Sequence, residues 1–143
     1  MRKRTIPLVL GTAFALAFTM SGPAHAAESS EWKSLSCTSG GAKGELDYRW
    51  WVPSTTGEID LGLTAYDIAA DGHHPEVRFV SHNYAGTVKY WPWRSYTGGS
   101  PGGRTWYTTA QSSAGLYGIG IQVANKEGSE IISYRTCWVP EPA

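Results

Sequence analysis

The side chains best suited to binding a ligand in this sequence are its tryptophans and tyrosines, and many of them cluster in one stretch. The segment YWPWRSYTGGSPGGRTWY, residues 90–107, contains three of the seven tryptophans. Tryptophan and tyrosine combine a flat apolar ring with a polar tip, which suits them to surfaces that bind a ligand while remaining hydrated. A sugar ring stacks on such a flat face while neighbouring polar groups bind its hydroxyls. The stretch therefore predicts an aromatic platform for a carbohydrate or cell-wall polymer.

The chain around these rings indicates where they should lie. Pro92 has a fixed φ and no backbone N–H, so it ends a strand, and the Gly/Pro/Ser run at 97–103 predicts a flexible loop. Loops on a rigid β scaffold commonly carry function. We expect a ligand-binding cluster at one end of the domain, formed by Trp91, Trp93, Arg94, Tyr96, Arg104 and Trp106.

Two alternatives stay open for this cluster. Trp91 and Trp106 are also suited to pack in the core as cross-strand partners, and Arg94 to stack on Trp93 as an ordinary surface pair. The same loop is also suited to insert into a cleft of another secreted protein, as protease or amylase inhibitors do, because Trp, Tyr and Arg are enriched at interface hot spots. The expected partner is therefore a polysaccharide or, alternatively, a secreted protein.

Metal ligation is the next chemistry to consider, and its candidate ligands are Asp67, Asp71, His73, His74 and His82. Calcium takes six to eight oxygen ligands, more than these two carboxylates supply. Zinc sites usually show two spaced ligand pairs or a helical i, i+4 pair, and neither pattern is present. We expect a structural turn instead, in which Asp71 accepts a bond from its own backbone and Gly72 takes positive φ. No metal or cofactor is predicted, and whether these side chains share a metal stays open.

The sequence contains no recognisable catalytic motif. It lacks a Gly-x-Ser-x-Gly elbow, a His-Glu-x-x-His helix and a phosphate-binding glycine loop. Glycoside hydrolysis needs only two suitably spaced carboxyl groups, and Asp47 could meet Glu58 or Asp60 across a hairpin. Their alternation with apolar residues assigns them to a solvated face instead. No catalytic residue is assigned, and a non-catalytic binding protein is favoured over an enzyme.

The N-terminus predicts export. A basic start precedes an apolar run at 6–18 and the small-residue sequence Ala-His-Ala at 24–26, which is the order of a secretory signal peptide, residues 1–26. Residues 27–143 then form a single secreted, monomeric domain. The leader holds three of the 12 basic residues and none of the 12 acidic ones, so the remaining nine basic residues leave a net charge of −3. Because nucleic acids and anionic membranes select basic proteins, neither is an expected partner.

Alternating polar and apolar residues dominate the exported part and predict half-buried strands. The two cysteines, Cys37 and Cys137, form an even set in an exported chain and predict one disulfide. The fold class is all-β, an antiparallel sandwich of jelly-roll-like or immunoglobulin-like type, or a small barrel. Its core rings are expected to include Trp50, Phe79, Tyr134 and Trp138, and the Pro-rich tail at 139–143 is expected to fray. About eight strands are predicted, at 32–37, 45–50, 59–66, 77–81, 87–91, 105–109, 119–123 and 131–138.

One local segment resembles a known group of proteins. The stretch AYDIAADGHHPEVRF, residues 65–79, is similar to a Tyr/Asp-x-x-Ala-Asp-Gly-His turn of small, secreted actinobacterial proteins. The resemblance implies a cleaved leader and a short β-rich body, often with a cysteine pair. It implies no activity.

Overall fold

The computed structural model describes residues 30–141, which form nine β-strands. The predicted signal peptide, residues 1–26, lies outside the described residues, as do the last two residues of the chain. Because the described part contains no helix, it offers none that could span a membrane. The strands are β1 Lys33–Ser39, β2 Ala42–Arg49, β3 Ile59–Asp67, β4 His74–His82, β5 Val88–Tyr90, β6 Arg94–Ser95, β7 Gly102–Ala110, β8 Gly118–Glu127 and β9 Glu130–Trp138.

These strands form two antiparallel sheets that pack face to face. Sheet I has the order β1-β2-β3-β7, and sheet II has the order β5-β4-β8-β9, with β6 also paired to β4. Across the core, β1 faces β9, β2 faces β8 and β3 faces β4. The predicted all-β sandwich is therefore confirmed, and each of the eight predicted strands is present. The additional strand is β6. The sequence did not predict it, because Pro92 was expected to end the strand before it.

The core lies between the sheets and follows from the period-two patterns. Alternation sends every second side chain of β2, β3, β4 and β8 into this layer. Gly44 of β2 permits close approach of the sheets, since a Cβ there would lie 2.4 Å from the Val123 Cγ2 atom. The core includes Leu46, Ile59, Leu61, Leu63, Val77, Phe79, Leu116, Ile119, Ile121 and Val123.

The two sheets are linked covalently at one side of the sandwich. Cys37 of β1 and Cys137 of β9 form the predicted disulfide, with their Cα atoms 5.8 Å apart. Beside it, Ser39 Oγ donates a hydrogen bond to Ser133 Oγ at 3.0 Å. The expected fraying of the C-terminal tail does not begin directly after this bridge. Val139 is buried, and its N–H donates to the Ile119 carbonyl at 2.9 Å, so it is part of the core.

Three of the four rings expected in the core lie elsewhere. Phe79 is fully buried as predicted, but Trp50 takes a left-handed φ of 64°. This conformation breaks the alternation of β2, so Trp51 turns inward instead and its Nε1 donates to the Leu116 carbonyl at 3.0 Å. Tyr134 and Trp138 point outward from β9, with 66% and 37% of their surfaces exposed. Both are an odd number of residues from Cys137, and the disulfide directs that residue inward.

Candidate ligand-binding face

The six residues predicted to form one cluster do not all face the same side of the sandwich. Trp91 turns toward the core, where its ring packs 5.5 Å from that of Phe79 and its Nε1 donates to Ser81 Oγ at 3.2 Å. Trp106 and Tyr96 are also partly buried against the core. Both Trp91 and Trp106 therefore pack against the core, but they are not cross-strand partners, since Trp106 lies opposite Leu63 in sheet I and Trp91 lies beside Phe79 in sheet II. These three rings close the side of the sandwich opposite the disulfide.

The two arginines of the predicted cluster lie on different sheets. Arg94 lies on β6 opposite Val77, an inward-facing residue of β4. Arg104 lies on β7 of sheet I, where its guanidinium carbon is 5.4 Å from the centre of the Trp106 ring. The segment expected to project as a loop instead runs along β4, since the Trp91 N–H donates to the Phe79 carbonyl and the Tyr96 N–H to the Pro75 carbonyl.

Trp93 is the member of the predicted cluster that reaches the outer face of sheet II. Because alternation turns Trp91 inward, its neighbour Tyr90 turns outward. Pro92 then interrupts the strand between β5 and β6, and Trp93, three residues after Tyr90, reaches the same outer side. The ring centres of Tyr90 and Trp93 lie 4.2 Å and 4.3 Å from the guanidinium carbon of Arg78. Both rings therefore stack on the same cation.

A polar network forms the floor beside these rings. Arg78, Gln122 and Thr136 are cross-strand neighbours on β4, β8 and β9. Arg78 Nε donates to Gln122 Oε1 at 2.7 Å, and Gln122 Nε2 donates to Thr136 Oγ1 at 2.9 Å. Each bond fixes the next, so the amide and the guanidinium are held in a set orientation.

Aromatic and aliphatic side chains flank this polar network on both sides. Tyr90 is 53% exposed on one side and Tyr134 66% exposed on the other. Val80 and Ala124 point to the same outer face but are fully buried and lie outside the core cluster, so the surrounding side chains cover them. The result is an open depression of about 360 Å³, here called the sheet II groove, lined by Arg78, Tyr90, Trp93, Gln122, Ile131 and Tyr134.

The charges next to the groove are unevenly paired. Glu76 of β4 bonds to Ser95 Oγ and accepts a bond from Lys126 Nζ at 3.0 Å. Burial raises the pKa of Glu76, but the bonds from Ser95 and Lys126 and the nearby positive charges outweigh this effect, so the pKa lies below its usual value. Burial lowers the pKa of Arg78. Within residues 30–141, no carboxylate forms an ion pair with Arg78.

Further rings continue along the outer face beyond the groove. The rings of His82 and Trp138 meet edge to face, 5.2 Å apart. At the adjacent end of the sheet, Tyr84 and Tyr117 meet 5.3 Å apart, and Tyr84 is largely exposed. Sheet II thus presents aromatic side chains along much of its outer surface.

The five candidate metal ligands do not all lie together. His74 and His82 lie at opposite ends of β4, about 26 Å apart at the usual rise of a strand. His73 lies in the turn before β4, with its Nδ1 atom 3.3 Å from Asp71 Oδ2. The His73 N–H donates to Asp71 at 3.0 Å and lowers the pKa of that carboxyl. In the described part of the chain, no three His, Cys, Asp or Glu side chains group as metal ligands.

The carboxylates considered for catalysis lie on or beside sheet I. Asp60 Oδ2 accepts a hydrogen bond from Arg49 Nε at 2.7 Å. Glu58 accepts one from Thr109 Oγ1 at 3.2 Å. Asp47 lies opposite Gly62, on the outer face that Arg49 and Asp60 share.

Sequence reasoning identified one groove residue, Trp93, and missed the other five. Arg78 and Gln122 carry no signal in the sequence beyond being polar positions in or beside predicted strands, and Tyr134 was expected in the core. The parity of β9 relative to Cys137 could have placed Tyr134 outside. No family model matches this chain, and no curated protein and no solved structure matches it either. The likeness of residues 65–79 to small exported actinobacterial proteins stays a prediction.

Proposed function

We propose that this protein is a secreted, non-catalytic domain that binds a carbohydrate polymer in the sheet II groove. The observation that carries the proposal is the placement of exposed flat rings on both sides of a fixed polar floor. Tyr90 and Tyr134 belong to strands three positions apart in the sheet, which is about 14 Å at the usual spacing. Arg78 and Gln122 lie between them.

The composition of the groove favours sugar over a purely apolar ligand. A pyranose ring has an apolar face that stacks on aromatic side chains and a rim of hydroxyls that needs hydrogen-bonding partners. Tyr90, Trp93 and Tyr134 offer the first kind of surface, and the Arg78 to Thr136 network offers the second. Most ligand sites combine an apolar wall with a few fixed polar groups in this way.

The open shape of the groove favours a polymer over a single sugar. The groove has no lid among the described residues, and its aromatic lining continues toward Trp138 and Tyr84. Extended chains need a binding surface of this kind because they must enter and leave without threading. The predicted signal peptide and the Cys37–Cys137 disulfide support an extracellular location, where such polymers occur.

The experiment is retention of the oxidised 27–143 protein on polysaccharides, with variants matched between the two faces. Trp93→Ala/Tyr134→Ala removes one tryptophan and one tyrosine from the groove. Trp32→Ala/Tyr107→Ala removes the same ring types from the outer face of sheet I, where the two rings lie 6.5 Å apart. Affinity electrophoresis and pull-down would use chitin, cellulose, peptidoglycan, xylan and polygalacturonate.

We expect the groove variant to lose at least about 10-fold in affinity, because buried aromatic contacts each contribute more than about 1 kcal/mol at hot spots. The sheet I variant should bind like wild type. Near-UV circular dichroism and thermal unfolding check that both variants remain folded. Passage of the wild type through every polysaccharide, or equal losses in both variants, would contradict the proposal. In the first case a protein partner becomes the hypothesis to test.

A further inference from the structure

We infer that the sugar bound in the sheet II groove carries a carboxylate and that Arg78 binds it. This inference rests on the proposed function and adds the chemical class of the ligand. It identifies an acidic polysaccharide, such as a polymer of uronic acids, as the expected partner.

The first support for this inference is that Arg78 is held in a fixed orientation. Its guanidinium is half-buried and held against the rings of Tyr90 and Trp93, and its Nε is already used by Gln122. Within the described residues, the two terminal nitrogens donate no hydrogen bond to the protein. A guanidinium presents these donors in a planar fork that matches the two oxygens of a carboxylate. Arg78 is therefore oriented by its own surroundings and still has free donors.

The second support is that Arg78 has no carboxylate partner among the described residues. The nearest acidic side chain along the outer face of β4 is Glu76, two residues away, and Lys126 neutralises it at 3.0 Å. On sheet I, by contrast, the stacked Arg49 is paired with Asp60 at 2.7 Å. A partly buried charge without a partner is destabilising, and an anionic ligand group removes that cost when it binds. Arg78 is such a charge, because it has no anionic partner among the described residues.

The third support is the position of Tyr90 and Tyr134 on either side of Arg78. In a uronic acid the carboxylate is attached directly to the pyranose ring, so stacking of the ring orients the carboxylate at its edge. A sugar stacked on Tyr134 or Tyr90 presents that edge toward the floor, where Arg78 lies between the two tyrosines. A neutral sugar leaves the guanidinium without an anion. The described residues contain more acidic than basic side chains, so general attraction of a polyanion does not account for such binding.

The test compares polymers that differ only in the carboxylate. Polygalacturonate would be measured against its fully methyl-esterified form, and glucuronoxylan against its carboxyl-reduced form, by calorimetry and affinity electrophoresis. Wild-type protein should bind the acidic member of a pair at least about 10-fold more tightly, the difference expected for a charge-assisted bidentate contact. This comparison needs no variant, so a folding defect cannot obscure it.

Variants then test the assignment to Arg78. Arg78→Gln should abolish the preference for the acidic polymer, and Arg78→Lys should restore only part of it because an ammonium lacks the planar fork. Arg49→Gln, the matched control on the opposite sheet, should keep the full preference. If the ester binds as tightly as the acid, the carboxylate inference is overturned and the groove function stands. Binding of no polymer in either pair overturns the carboxylate inference, and it overturns the groove function too only when chitin, cellulose and peptidoglycan are not retained either. Equal losses from Arg49→Gln and Arg78→Gln overturn the role of Arg78.

Discussion

The outer faces of sheets I and II each stack an arginine on aromatic rings, but the two arginines differ in what else they contact. On sheet I, the Arg49 guanidinium lies 4.7 Å from the Trp32 ring and binds Asp60 at 2.7 Å. On sheet II, Arg78 lies between ring contacts and an amide, with no carboxylate partner in the described structure. The arginine on sheet I therefore has a carboxylate partner within the domain, and the arginine on sheet II has none among the described residues.

The proposed binding site on sheet II therefore rests on more than exposed rings. Sheet I also has a hollow, of about 400 Å³, beside Trp32 and Tyr107. Tyr107 lies over Gly62, and its polar neighbours on this face include an ion pair that is already complete. The groove of sheet II differs because its rings surround polar atoms that still have capacity to bind.

The largest expected effect concerns the covalent link between the two faces. Replacing the disulfide with Cys37→Ala/Cys137→Ala should lower the free energy of unfolding by about 4 to 5 kcal/mol, because the bridge closes a loop of about 100 residues in the unfolded chain. Denaturant unfolding is measured for two versions of this variant, one carrying Trp32→Phe on sheet I and the other carrying Trp93→Phe on sheet II. Comparison of the two curves then reports on each face. We expect one shared transition. Separate transitions would show that the faces are independent units and would weaken the comparison.

A pair of outward-facing glycines gives the next effect. A Cβ at Gly120 of sheet II would lie 2.4 Å from the Cys137 carbonyl oxygen, a backbone atom that cannot move freely. At Gly62 of sheet I, the closest atom is Cε1 of the exposed Tyr107, at 3.3 Å. Gly120→Ala should therefore destabilise by about 3 kcal/mol, and Gly62→Ala should change stability by no more than about 0.5 kcal/mol. Thermal unfolding of both variants checks this order, and equal losses would contradict it.

The smallest effect is the contribution of Glu76 and its dependence on pH. Because the folded pKa of Glu76 lies below the usual value of 4.5, its stabilising contribution is fully present above that value and is lost as pH falls through the folded pKa. Glu76→Gln should cost about 1 to 2 kcal/mol at pH 7 and progressively less toward pH 3. Asp60→Asn is the control on sheet I, where the exposed pair with Arg49 should contribute less than about 1 kcal/mol. Parallel stability curves for wild type and Glu76→Gln down to pH 3 would contradict the prediction.

Much of the fold was predictable because strands have a simple period. The alternation in β2 and β3 predicted their buried faces, and the two cysteines, together with the predicted signal peptide, predicted the bridge that joins β1 to β9. Local conformation set the limit of this reasoning. The positive φ of Trp50 reverses the pattern after β2, and no rule of alternation anticipates a non-glycine residue in that region.

The sequence by itself determined that the domain is all-β, closed by one disulfide and rich in tryptophan and tyrosine. Tertiary structure alone decided which of those rings share a surface. Trp91 and Trp93 are neighbours in the sequence but lie on opposite faces of the sheet edge, while Trp93 and Tyr134 are far apart in the sequence and line the same groove. The physical reason is that alternation fixes a residue's side only while a strand continues, and Pro92 breaks the strand between Trp91 and Trp93, whereas strand order and register fix which residues are neighbours on each side.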